Sequence, residues 1–89
     1  MAKKIGVIVR DRQGEALRMS LGLIVLDDEV DIIVTEPLSD DNKDFLSNEV
    51  IDLVANVYTT VPIPGVDIQQ ISNDELAARL LEYDNILPY

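Results

Sequence analysis

Two short stretches constrain this chain most: Ile5, Gly6, Val7, Ile8 and Val9, and then Val30 to Val34. Both are apolar almost without interruption. A strand apolar on both faces must be covered on both, which is the situation inside a parallel sheet. Parallel neighbours need a crossover, and Gly14 to Leu26 supplies a helical one. Leu17, Leu21 and Ile24 form one stripe of that helix, and Ala16, Met19, Leu23 and Leu26 widen it. A helix this apolar calls for burial by more than one neighbour. The acidic cluster Asp27, Asp28 and Glu29 ends it.

The remaining chain continues the alternation. Glu36 to Asp41 reads as a loop, with Asp40 or Asp41 placed to cap the next helix. That helix is expected over about 42–57, because Leu46, Val50, Leu53, Val54 and Val57 recur at helical spacing while Asn48, Glu49, Asp52 and Asn56 form a wet face. A third strand falls within Val57 to Ile63, before a turn at Pro62, Pro64 and Gly65. Val66 to Ile71 is a fourth, interrupted by Asp67, Gln69 and Gln70 and so expected near a sheet edge. Ser72 and Glu75 match a capping box. They open a helix over about 73–83 that buries Leu76, Ala77, Leu80 and Leu81 and sets Glu75 beside Arg79 on its outer side. Ile86 to Tyr89 adds a stub of a fifth strand, which Pro88 keeps out of the middle of a sheet. The fold expected is α/β, a three-layer α/β/α arrangement with a parallel or mostly parallel sheet of about five strands, in a single domain over residues 1–89.

An 89-residue chain supports one core, and with 47% hydrophobic but only 4% aromatic residues that core is built from Ile, Val, Leu and Ala. Cysteine and histidine are both absent. There is accordingly no disulfide, no thiolate nucleophile, no imidazole base, and none of the usual zinc or iron ligands, so no metal and no cofactor are implied. The net charge of −10 speaks against binding nucleic acid. Five of the seven basic residues, Lys3, Lys4, Arg10, Arg12 and Arg18, nonetheless lie in the first 18 positions, opposed there only by Asp11 and Glu15. The expectation is an acidic body with one basic edge. No apolar run is long enough to cross a bilayer, and Met1 to Lys4 lead straight into a strand, which points to a cytoplasmic protein that does not engage a membrane.

Ligands of parallel α/β sheets collect beyond the carboxyl ends of the strands, here Arg10 to Gly14, Thr35 to Asp41, Val61 to Gly65, and Ser72 with Asn73. Arg10, Arg12 and Gly14 are the candidate ligand residues: a helix start with free amides favours an anion, and either arginine can hold a carboxylate or phosphate by a fork. With one glycine, however, the loop fails both the G-x-G-x-x-G and the P-loop pattern, and a charged turn facing solvent or a partner is the competing reading. Asp27, Asp28, Glu29 and Asp31 lie at the amino end of their strand, where a solvated turn is expected. Asp40, Asp41 and Asp44 are better placed for acid/base work. Ser20, Ser47 and Ser72 have no histidine to activate them, and Lys43 has no visible partner that would depress its pKa.

The pattern as a whole resembles the DsrE/DsrF/DsrH (TusBCD-like) family of small sulfur-relay proteins, and the DsrH/TusB branch in particular. Two stretches carry it: KKIGVIVRDRQGEALRMSLGLIVLDDEVDIIV at the start and VDIQQISNDELAARLLEYDNILPY at the end. The resemblance implies an α/β/α fold, homo- or hetero-oligomers, and persulfide transfer through a cysteine on a strand-end loop. This chain has no cysteine, so no catalytic residue carries over. What the resemblance then implies is a non-catalytic, oligomer-forming subunit whose apolar first helix or edge strand packs against like subunits or a cysteine-bearing DsrE-like partner; Met19 and Leu23 are the candidate interface residues on that helix. The alternative is a small module that binds an anionic metabolite at Arg10 to Gly14.

Overall fold

A computed structural model describes residues 3–26, 28–66 and 68–89. Asp27 of the acidic cluster and Asp67 of the fourth stretch lie outside them, as do Met1 and Ala2. The elements run β1 (Lys4–Val9), α1 (Gln13–Val25), β2 (Glu29–Val34), α2 (Asp40–Phe45, continuing as a π-helical turn over Leu46–Val50), β3 (Asn56–Thr59), β4 (Gln69–Gln70), α3 (Asn73–Leu80) and β5 (Asn85–Pro88).

The five strands form one sheet in the order β4-β3-β2-β1-β5, and every pairing is parallel. This is the α/β class read from the apolar runs. The two most continuous runs, β1 and β2, are both internal, and the two interrupted ones, β4 and β5, form the edges. Tyr89 N–H donates to Ile8 O at 3.0 Å. The odd residues of β5 thus turn their backbone toward β1, and the missing N–H of Pro88 faces the open side, where it blunts the edge.

Alternation along the strands separates two hydrophobic clusters. Ile5, Val7, Val9, Val30, Ile32 and Val34 point one way, against Ala16 and Leu17 of α1 and Leu46 and Val50 of the second helical segment. Ile33 points the other way with Tyr58 and Ile71, against Leu76 and Leu80 of α3 and Tyr83. The first cluster is much the larger. Gly6 sits in β1 on the Tyr83 side, and a Cβ built there would lie 2.8 Å from the ring. Gly6→Ala is therefore expected to lower unfolding free energy by about 1–3 kcal/mol through overpacking. Urea titration should show this loss, and a Tyr83→Ala background should largely remove it.

Several local expectations are corrected. The second helix is capped by Ser39, whose hydroxyl accepts from Asn42 N–H at 3.3 Å, while Asp40 and Asp41 occupy its first turn. It stops at Val50, well short of 57. Ile51 N–H bonds back to Leu46 O at 2.9 Å, an i to i−5 step that breaks the 3.6-residue phase. Val54 is still buried, but in the following turn, and Val57 belongs to β3. The fourth strand shrinks to two residues. The capping box at Ser72 and Glu75 is present, but no residue of α3 is fully buried: Leu76 and Leu80 are half-buried, Ala77 is exposed and Leu81 is 88% exposed. Arg79 does not pair with Glu75. Its guanidinium lies 4.2 Å from the centre of the Tyr58 ring and donates to the Tyr58 hydroxyl at 3.1 Å, while Glu75 is held in the cap.

Candidate functional site

The carboxyl edge of the sheet is organised by two groups that sequence reasoning passed over. The first is the main-chain oxygen of Tyr89, which accepts from Asp11 N–H at 2.7 Å and Arg12 N–H at 2.8 Å. The Arg12 guanidinium lies 5.3 Å from the Tyr89 ring centre and 3.4 Å from Glu15, and Arg10 lies 3.7 Å from Asp11. The amides of this loop thus bind the end of β5, and its two arginines are exposed and neighboured by acids. The candidate anion residues Arg10 and Arg12 occupy the expected edge, with their loop's first two donors already engaged.

The second is Gln13, at the first position of α1. Its amide nitrogen donates to Pro37 O at 2.9 Å and Arg10 O at 3.2 Å; its oxygen accepts from Asn42 Nδ2 at 3.0 Å and Ser39 N at 3.3 Å. One side chain therefore ties the loop after β1 to the loop after β2. A lone glutamine at a helix start carries no sequence pattern that predicts this. Beside it, Gly14, Arg18, Asp41, Asn42 and Phe45 line a cleft of about 210 Å³. A Cβ at Gly14 would lie 3.4 Å from Arg18 Nη1 and 3.5 Å from Asn42 Oδ1, so the glycine keeps this cleft open.

The other candidates are dispersed. Lys43 lies 3.7 Å from Asp40, and its ammonium donates to Pro64 O at 3.5 Å. Asp41 faces the cleft beside Arg18, while Asp44 lines a separate one with Ser47 and Pro64. Ser20 is buried and donates to Ala16 O at 2.8 Å, and Ser72 is committed to its cap. Among the described residues no three acids gather as a metal site.

Asp31 departs furthest from expectation. Instead of facing water it is 2% exposed, accepting from the Tyr83 hydroxyl at 2.7 Å and from Asn56 Nδ2 at 3.0 Å. Burial, reinforced by this bond to Asp31, pushes the pKa of the Tyr83 phenol well above its usual range. The trio fastens the end of α3 to the sheet. Its alternating position in β2, opposite in sense to Ile32, is the signal that placed Asp31 on the α3 side.

The two candidate interface residues separate. Met19 is 44% exposed, whereas Leu23 is half-buried against the large cluster. Val25 at 81% and Leu26 at 72% exposure continue the outer side of α1 past Met19. Gly22 lies among them, and a Cβ there would meet nothing within 4 Å. No residue from Met19 to Leu26 is charged. The C-terminal half of α1 is thus apolar on its water-facing side as well as its core side.

Set against known proteins, the chain matches no family model, no curated protein and no solved structure. No helix among the described residues is long and apolar enough to cross a membrane.

Proposed function

We propose that the chain is a non-catalytic, oligomer-forming subunit of a DsrH/TusB-like sulfur-relay type assembly. The observation that carries this reading is the uncovered half of α1: Met19, Val25 and Leu26 stand exposed with no charge among them. Apolar surface of that kind on a small domain marks a place where another protein docks. The absence of any thiol makes the role a structural one, since a persulfide needs a cysteine sulfur to carry it. A cysteine-bearing DsrE-like protein is the partner of complementary chemistry.

The anion-binding alternative draws less support from the geometry. Its loop amides at Asp11 and Arg12 are bonded to Tyr89, and its arginines sit beside Asp11 and Glu15.

Met19→Glu with Leu26→Glu separates assembly from folding. Exposed substitutions of this sort change stability by about 0.5 kcal/mol or less, so the double variant should melt close to the parent. Sedimentation, with the chain alone and mixed with a cysteine-bearing DsrE-like protein, should show the parent in a complex and the variant as a monomer. A variant that assembles like the parent contradicts the reading.

A further inference from the structure

We infer that the cleft between the N-terminal parts of α1 and α2 binds a small zwitterion, an α-amino acid with a short apolar side chain, through Arg18, Asp41 and Asn42. The site lies at the carboxyl edge of the sheet and does not rest on the subunit reading above.

Two helices build it. α1 and α2 start side by side after β1 and β2, on the same face of the sheet. Gly14 and Arg18 stand one turn apart on α1, as Asp41 and Phe45 do on α2, so these two pairs and Asn42 enclose the space. The Arg18 guanidinium is turned back over Gly14, where Nη1 comes within 3.4 Å of the place a Cβ would take. Among the described residues it forms no ion pair, with Asp41 or with any other acid. A positive and a negative group thus line one cleft without meeting.

The third polar group is an acceptor whose direction is fixed by its neighbours. Pro37 O and Arg10 O can only accept, so Gln13 must turn its Nε2 toward them and its Oε1 toward Asn42. Asn42 must then present Nδ2 to that oxygen, at 3.0 Å, which leaves Oδ1 on the cleft side. Among the described residues Asn42 Oδ1 accepts no hydrogen bond. The Gln13 tie therefore holds an unused acceptor in the wall of the cleft.

Opposite charges in one small space decide the charge pattern of the ligand. A plain anion meets the Asp41 carboxylate, and a plain cation meets the Arg18 guanidinium. A molecule with a carboxylate at one end and an ammonium beside it satisfies both. Arg18 donates to the carboxylate through its fork, while the three N–H groups of the ammonium face Asp41 and Asn42 Oδ1. Half-buried Phe45 offers the side chain an apolar wall. At about 210 Å³ the cleft falls below the roughly 300 Å³ at which sites for drug-sized ligands begin, which keeps the molecule small.

Titration of the isotope-labelled chain followed by NMR tests this, with free glycine, L-alanine and L-leucine as probes. Saturable shifts should appear at the amides of Gly14, Arg18, Asn42 and Phe45, with affinity rising from glycine to L-leucine. Isocaproate, which lacks the ammonium of L-leucine, and isoamylamine, which lacks its carboxylate, should each bind about tenfold more weakly than L-leucine. Arg18→Met should bind L-leucine no more tightly than isoamylamine, and Asp41→Asn should bind it about tenfold more weakly than the parent. Both substitutions are at exposed positions, so the melting temperature should hardly change. Gly14→Ala is the companion variant. Its methyl group takes the space between Arg18 Nη1 and Asn42 Oδ1 at ordinary contact distance, so the variant should melt at or above the parent temperature with binding lost.

No saturable shift with any of the three amino acids would overturn the site. Isocaproate as tight as L-leucine would replace it with a simple anion site, and glycine as tight as L-leucine would remove the apolar side chain from the ligand. Arg18→Met or Asp41→Asn binding like the parent would show that the two charges do not hold the zwitterion.

Discussion

Leu17→Ala is expected to lower the free energy of unfolding by about 3–5 kcal/mol, measured as a fall in urea midpoint at unchanged slope. Leu17 is wholly buried where α1 crosses the sheet, within the cluster that holds Val7, Val9, Ile32 and Val34. Ala16 and Ser20, its buried neighbours on the helix, are too short to fill the space it leaves, and the strands beneath are held by ladder bonds on both sides. The cost therefore includes a cavity as well as lost transfer energy. For a domain this size that is a large share of the total, since stabilities of about 5–15 kcal/mol are usual. Met19→Ala, two positions along but facing water, should change the same midpoint little. A loss below about 1 kcal/mol at Leu17 would mean that α1 is not seated on the sheet as described.

Asp31→Ala is expected to cost about 1–3 kcal/mol, because it removes the shared acceptor of the half-buried Tyr83 hydroxyl and of Asn56 Nδ2. The contact is specific enough for a double-mutant cycle. Tyr83→Phe should cost about 1 kcal/mol in the parent and almost nothing once Asp31 is alanine, since the bond at 2.7 Å is already gone. Independent, additive losses would contradict the hydrogen-bonded trio. Alanine at Asp31 with no loss of stability would return this residue to the solvated turn expected from its neighbours in sequence.

These two sites also mark what the residues disclose in advance and what they conceal. The apolar runs at β1 and β2 and the helix between them were legible because burial on two faces leaves no room for polar alternation. The interrupted runs were legible as edges for the converse reason, and Ser72 with Glu75 as a cap because both partners lie within one turn. The second helix was misread past Val50 because an i to i−5 step shifts the phase while β-branched residues at 54 and 57 happen to continue it.

Long-range pairing is where local patterns are blind. Arg79 suits Glu75 at i,i+4, but Tyr58 offers a ring and a hydroxyl from across the sheet. Asp31 closely follows the exposed Glu29 in sequence, yet Tyr83 reaches it from 52 residues away. Gln13 and the Tyr89 oxygen shape the carboxyl edge through partners that no spacing rule connects. The outer side of α1 was read as part of a buried helix. Its apolar residues are there, but this chain covers only one side of them.

The most direct measurement is the light-scattering mass of the purified 9.9 kDa chain at rising concentration, first alone and then with a cysteine-bearing DsrE-like protein. A mass that climbs toward twice that of the chain, or a mixed complex, is the result expected of a subunit whose α1 face is meant to be covered. A single mass of 9.9 kDa under every condition would contradict it.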